Sequence, residues 1–241
     1  MVDWLALQKP KLRLCAAVLG LSSAGCGLIS SDVEDIPLMI QPKMFSVDTA
    51  SWNVSSTAAD PYLSYDCSST PSYCATAVSN ACATGCSGSC DATSQTCDLG
   101  LDVRVFQSID LLTEQPELKT LNSAPIIHVT IDSVMYTVGD NSLDVDTPLL
   151  TVYVAPISVM DPNDPSAQAI GTIAPVPAMM TVPATGMQFT ADGKSDLVAI
   201  MGSYMTPFNV IVGGQVVVKN GEPVPSGKLD AAVQITAHAS P

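Results

Sequence analysis

The chain has 241 residues, with 23 acidic against 9 basic side chains and a formal net charge of −14. That balance excludes nucleic acid and anionic headgroups as electrostatic partners, because phosphate binding relies on clustered Lys and Arg that release counterions. A partner attracted by charge has to be cationic: a divalent metal ion, a basic protein or a polyamine.

Residues 1–25 read as an address. Lys9, Lys11 and Arg13 precede the apolar run 14–21, and Ser22, Ser23, Ala24 and Gly25 lead to Cys26. The run is too short to span a membrane, which takes about 20 apolar residues. This arrangement resembles the signal peptide of bacterial lipoprotein precursors. The resemblance covers residues 1–27 alone, with Ser23 standing where Leu is usual. It implies cleavage before Cys26, a diacylglycerol thioether and N-acylation on that residue, and anchoring worth about 0.8 kcal/mol per buried methylene. Gly27, in place of Asp, resembles lipoproteins sent on to an outer membrane. Loss of the leader removes three basic residues and Asp3, so the net charge moves from −14 to −16. Lys43, Arg104, Lys119, Lys194, Lys219 and Lys228 are then the remaining cations.

Residues 26–35, rich in Ser and acid, are read as a tether, and 36–241 as one domain. The stretch 36–48 is apolar and extended, with Pro37 and Pro42 ruling out a continuous helix. A strand at 43–48 is expected to pair with the later sheet. Cys67, Cys74, Cys82, Cys86, Cys90 and Cys97 follow in one cluster. In an oxidising compartment an even cluster of this kind predicts three disulfides, with every pairing open. A metal site is the alternative, since Cys82, Cys86 and Cys90 recur every four residues and would share a helical face. Gly85 and Gly88 weaken such a helix, and there is neither a Cys-x-x-Cys pair nor a nearby histidine. The surrounding Ser, Thr, Gly and Asp offer little apolar area, so disulfides are expected to substitute for a core here. The block 60–98 is read as an insertion between the first and second strands of the domain.

From residue 99 onward the chain becomes β-branched runs separated by Pro, Gly and Asp, the pattern of an antiparallel β-sandwich. Val103, Val105 and Ile109 alternate with polar residues. Ile127, Val129 and Ile131 do the same, and Val134, Tyr136 and Val138 continue on a shifted phase, which predicts a bulge at Asp132-Ser133. Further strands are expected at 149–155, 169–173, 210–219 (interrupted by Gly213-Gly214) and 229–237. One amphipathic helix is predicted after Asp192-Gly193. Its stripe is Leu197, Ile200, Met201 and Tyr204, it ends before Pro207, and it covers an open end or face of the sandwich.

No catalytic constellation stands out, and no cofactor is implied. His128 and His238, the only histidines, fall on predicted strands at solvent-facing positions. Asp140, Asn141, Asp144 and Asp146 place oxygen ligands at near-alternate positions, as calcium would want, but lack the EF-hand spacing. Asp161-Pro162-Asn163-Asp164-Pro165 reads as Asx and Pro turns. Met179, Met180, Met187, Met201 and Met205 offer soft sulfur for copper, or simply core filler. The expected function is that of a lipid-anchored, non-catalytic envelope protein with a structural or binding role. Its expected contacts are the membrane, through the lipid, and another envelope protein. A carrier of a small ligand, calcium or copper is the second reading, and an envelope hydrolase the third.

Overall fold

The computed structural model describes residues 36–121 and 127–240, which belong to one compact unit. The leader, Cys26 and the tether lie outside the described residues. In chain order the first elements are β1 (Ile36–Met39), β2 (Lys43–Asp48), α1 (Ser56–Leu63), α2 (Ser72–Ala81), β3 (Cys86–Cys90), β4 (Cys97–Ile109) and α3 (Leu111–Glu114). They are followed by β5 (His128–Asn141), β6 (Leu150–Pro156), β7 (Gln168–Ile173), β8 (Val182–Gly186) and β9 (Gln188–Phe189). Last come α4 (Gly193–Gly202), β10 (Phe208–Val218) and β11 (Lys228–Ser240). The protein is mainly β, with 45% of the described residues in strands and 21% in helices. No helix among the described residues is long and apolar enough to cross a membrane.

Two antiparallel sheets form the sandwich. One has the order β1-β11-β5-β8, with β2 also paired to β11. The other has the order β3-β4-β10-β6-β7-β9. In β5 and β11 alternating residues face inward, as the period-two pattern requires. Phe45, Val129, Ile131, Val134, Val233 and Ile235 meet Leu99, Leu101, Val103, Val152, Val154 and Val210 in one continuous core. The phase slip in β5 is a bulge: Ala237 pairs with Ile131 and Thr236 with Ser133, so Asp132 has no partner in the ladder. Gly213-Gly214 is no interruption, because β10 stays paired to β4 through both. A Cβ on Gly213 would lie 2.8 Å from the Pro162 ring, and one on Gly214 2.7 Å from Leu150. These positions are small because neighbours press on both faces of the strand.

The expected helix is joined by three others, so the described residues hold four α-helices. The expected one is α4, whose Leu197 and Met201 are fully buried where it packs between β5 of one sheet and β6 and β7 of the other. Two of the unexpected ones lie in the cysteine block. α2 buries Cys74, Ala77 and Ala81 with Val78 half-buried, a helical stripe made of small side chains. α1 buries Ala59, Tyr62 and Leu63. With Trp52 these residues join the main core, so the block has an apolar interior as well as its disulfides, and β3 adds an edge strand to the second sheet. The pairs are Cys67–Cys90, Cys74–Cys97 and Cys82–Cys86, with Cα separations of 5.9, 5.4 and 6.3 Å.

Cys90 and Cys97 face each other across the β3–β4 ladder. Their two bridges therefore hold the end of that hairpin against the first turn of α2 and the segment just before it. Tyr62 lies beneath, donating to the Cys74 carbonyl at 3.0 Å. Burial, and then the nearby Asp98 charge, pushes its phenol up to about 12. A side chain on Gly88 would collide with both Tyr62 Oη and that carbonyl.

Each long-loop bridge spans 23 residues and the short one 4. Loop-closure entropy then assigns about 3.5 kcal/mol to a long bridge and about 2 kcal/mol to the short one. Urea unfolding of Cys74→Ala/Cys97→Ala and Cys82→Ala/Cys86→Ala should show the first pair of substitutions costing more.

Candidate binding cleft along the open edge of β10

The two ladders of β10 differ in length. Pairing to β4 runs from Phe208↔Ile109 to Val218↔Leu99, whereas pairing to β6 stops at Gly213↔Thr151. The last five residues, Gly214 to Val218, thus present a strand edge that β6 does not cover. The cause lies just before β6, where Pro148 has no N–H to give a ladder. Thr147 is turned away, with its N–H on the Val176 carbonyl at 2.9 Å and its hydroxyl accepting from the Val176 N–H at 2.8 Å.

Between the free edge and segment 144–148 lies a cleft of about 620 Å³, lined by Val145, Gln215, Val216, Val217, Pro223 and Pro225 among others. Its charged lining is Asp144, Asp146 and Glu222, without a single Lys or Arg. A second cleft of about 680 Å³ shares Glu222 and Pro223 and reaches α1 at Asp60, Pro61, Leu63 and Ser64. Nearby, Asp98 has an Oδ1 without a hydrogen-bond partner, and its carboxyl is pushed up by burial and by Asp91. Between the sheets, by contrast, the void lined by Trp52, Val103, Leu150 and Val216 measures about 20 Å³. That is room for about one water.

The residues singled out for calcium are spent on the protein's own backbone. Asp144 accepts from the Ser226 N–H and hydroxyl, both at 2.7 Å. Asp146 accepts from the Ala178 N–H at 2.8 Å, and Asn141 donates to the carbonyls of Pro177 and Met180 at 3.1 and 3.0 Å. Asp140 is exposed at the end of β5. The carboxylates of Asp140, Asp144 and Asp146 do not converge within 4.8 Å; among the described residues only Cys67, Cys74 and Cys90 do, and these are disulfide-bonded. The acidic loop works instead as a clamp that sets the wall of the cleft.

The other sequence candidates separate in space. Met187 and Met201 are buried, while Met179, Met180 and Met205 are exposed, so the five share no surface. Asp161 and Asp164 cap their own turns, accepting from the N–H groups of Asn163 and Ser166 at 2.9 and 2.8 Å. That segment lies over the outer face of β10 because Asn209, fully buried, donates to the carbonyls of Ile157 and Val159. Asn209 was not among the sequence candidates, although a lone amide inside an apolar run is the signal that marks it. His128 is exposed, and His238 Nδ1 lies 3.1 Å from Asp132 Oδ1. Comparison with protein-family models, curated proteins and solved structures gives no match.

Partial burial raises the Asp144 carboxyl, but its bonds to Ser226 outweigh this and leave it below the ordinary range. A lowered carboxylate stabilises the fold above its unfolded value and loses that contribution as the pH falls through its folded value. The Ser226 amide proton should therefore keep its hydrogen-bonded chemical shift at neutral pH and lose it only below the usual carboxylate range. Asp144→Asn should weaken that shift at pH 7.

Proposed function

We propose that this chain is a lipid-anchored protein of the bacterial cell envelope that binds another envelope component and performs no chemistry. The observation that carries the reading is the uncovered edge of β10 in an acidic cleft. An extended segment added to such an edge gains main-chain hydrogen bonds, and side-chain pockets supply selectivity. The lining favours an occupant that alternates apolar residues, packed on Val145 and Val217, with Lys or Arg facing Asp146 and Glu222. The nearly filled interior argues against a carrier that encloses its ligand between the sheets, since drug-sized ligands need about 300 Å³ or more.

Topology supports the same reading. Ile36 pairs with Ala239 at one end of β11, while Lys228, at the other end, adjoins the loops that wall the cleft. The acidic leader-free surface suits this role, keeping the domain off anionic headgroups.

Two measurements test the proposal. Cys26→Ala should move the protein from the membrane fraction to the soluble fraction; retention in the membrane would remove the anchor from the proposal. A photo-crosslinking residue at Val217 should capture one envelope protein in intact cells, and the same residue at Gln234, on the outer face of the other sheet, should not. Capture at Val217 should fall with added salt and with Glu222→Lys. Equal capture at both positions would show that the β10 edge is not the site.

A further inference from the structure

The two histidines of the chain lie on the outer face of the first sheet, on the adjacent strands β5 and β11. His128 of β5 pairs with Ser240 of β11, and His238 of β11 pairs with Thr130 of β5. Buried neighbours alternate with them: Val129, Ile131, Ala237 and Ala239 all point into the core. Both imidazoles therefore leave the same face from diagonal positions. Diagonal residues of adjacent strands have Cα atoms about 7–8 Å apart, within reach of each other for side chains of this length.

The bulge supplies a third member. Asp132, one residue after the buried Ile131, leaves the strand on the same outer side as His128 and Thr130, and the bulge leaves it without a partner in the ladder. Asp132 then reaches across to His238, with its two oxygens 3.1 and 3.3 Å from Nδ1. A carboxylate on Nδ1 fixes the ring orientation and leaves Nε2 as the free nitrogen. This is the outer-shell arrangement that metal-binding histidines use. On the other side of His238, Met39 of β1 pairs with Thr236 and is 61% exposed, which adds a thioether to the same surface.

We propose that His128 and His238 bind one borderline transition-metal ion, Cu2+ or Zn2+, with Asp132 positioning His238. Imidazole nitrogen suits both ions, and the order of affinities among first-row metals favours copper. A net charge of −14 raises the cation concentration at the surface and supports capture. Oxygen-seeking calcium has no reason to prefer this face. The site lies apart from the β10 cleft and does not rest on the function proposed for it.

The chain has two histidines, so its NMR spectrum holds only two sets of imidazole signals. Titrating the disulfide-intact full chain with zinc sulfate should shift both sets together and saturate at one equivalent, with no response to calcium chloride. In calorimetry, His128→Gln and His238→Gln should each remove saturable binding of zinc and copper. Asp132→Asn should weaken it by about 10-fold, the effect expected of an outer-shell carboxylate. Three results would overturn the proposal: a response from one ring only, displacement of zinc by equimolar calcium, or His128→Gln binding like the unsubstituted chain. The ring titration needs no variant, so it decides the matter even if a substitution unfolds the sheet.

Discussion

Much of this structure follows from one mismatch: β10 is held along its full length by β4 but along only part of it by β6. The β4 ladder brings the cysteine block into the second sheet, because β4 begins at Cys97 and its other neighbour is β3. The β6 ladder ends where Pro148 cannot pair and Thr147 turns toward Val176. A strand so unequally covered would normally be an aggregation hazard, which proteins reduce with charge and proline near the edge. Asp144, Asp146, Glu222, Pro223 and Pro225 stand at this edge. They discourage self-pairing, since a second copy brings the same charges, and still admit a segment of opposite sign.

The sheet strands were legible in the sequence because half-buried strands repeat every second residue, and the bulge at Asp132 was legible because the period slips there. β8 and β9 were not. β8 carries Pro183 and Gly186 and has no buried residue; it pairs only at the sheet edge, where proline is tolerated. α2 escaped because its buried stripe is Cys74, Ala77 and Ala81, residues that carry little hydrophobic weight. The three pairings could not be read from spacing, since they depend on the β3–β4 register that sets Cys90 opposite Cys97. At the cleft, the acidic residues were found but their role was not. Whether a carboxylate faces an ion or an N–H depends on where residues 178 and 226 return in space, and local sequence carries no record of that.

The exposed carboxylates also show why charge count alone misleads. Asp144, Asp146, Asp161 and Asp164 each accept from a backbone N–H, so each supports a turn or joins two loops. Asp132 differs. The bulge frees it from the ladder, and it touches an imidazole instead of closing a turn.

β11 relates the two surfaces. It is the strand that both β1 and β2 join, and its 13 residues, at about 3.3 Å each, extend over roughly 40 Å. Ser240 and His238 lie toward the end where Ile36 pairs, and Lys228 lies at the cleft end. Because one strand spans both, loosening the ladder at its Ile36 end would be felt by the histidine pair before it reached the cleft.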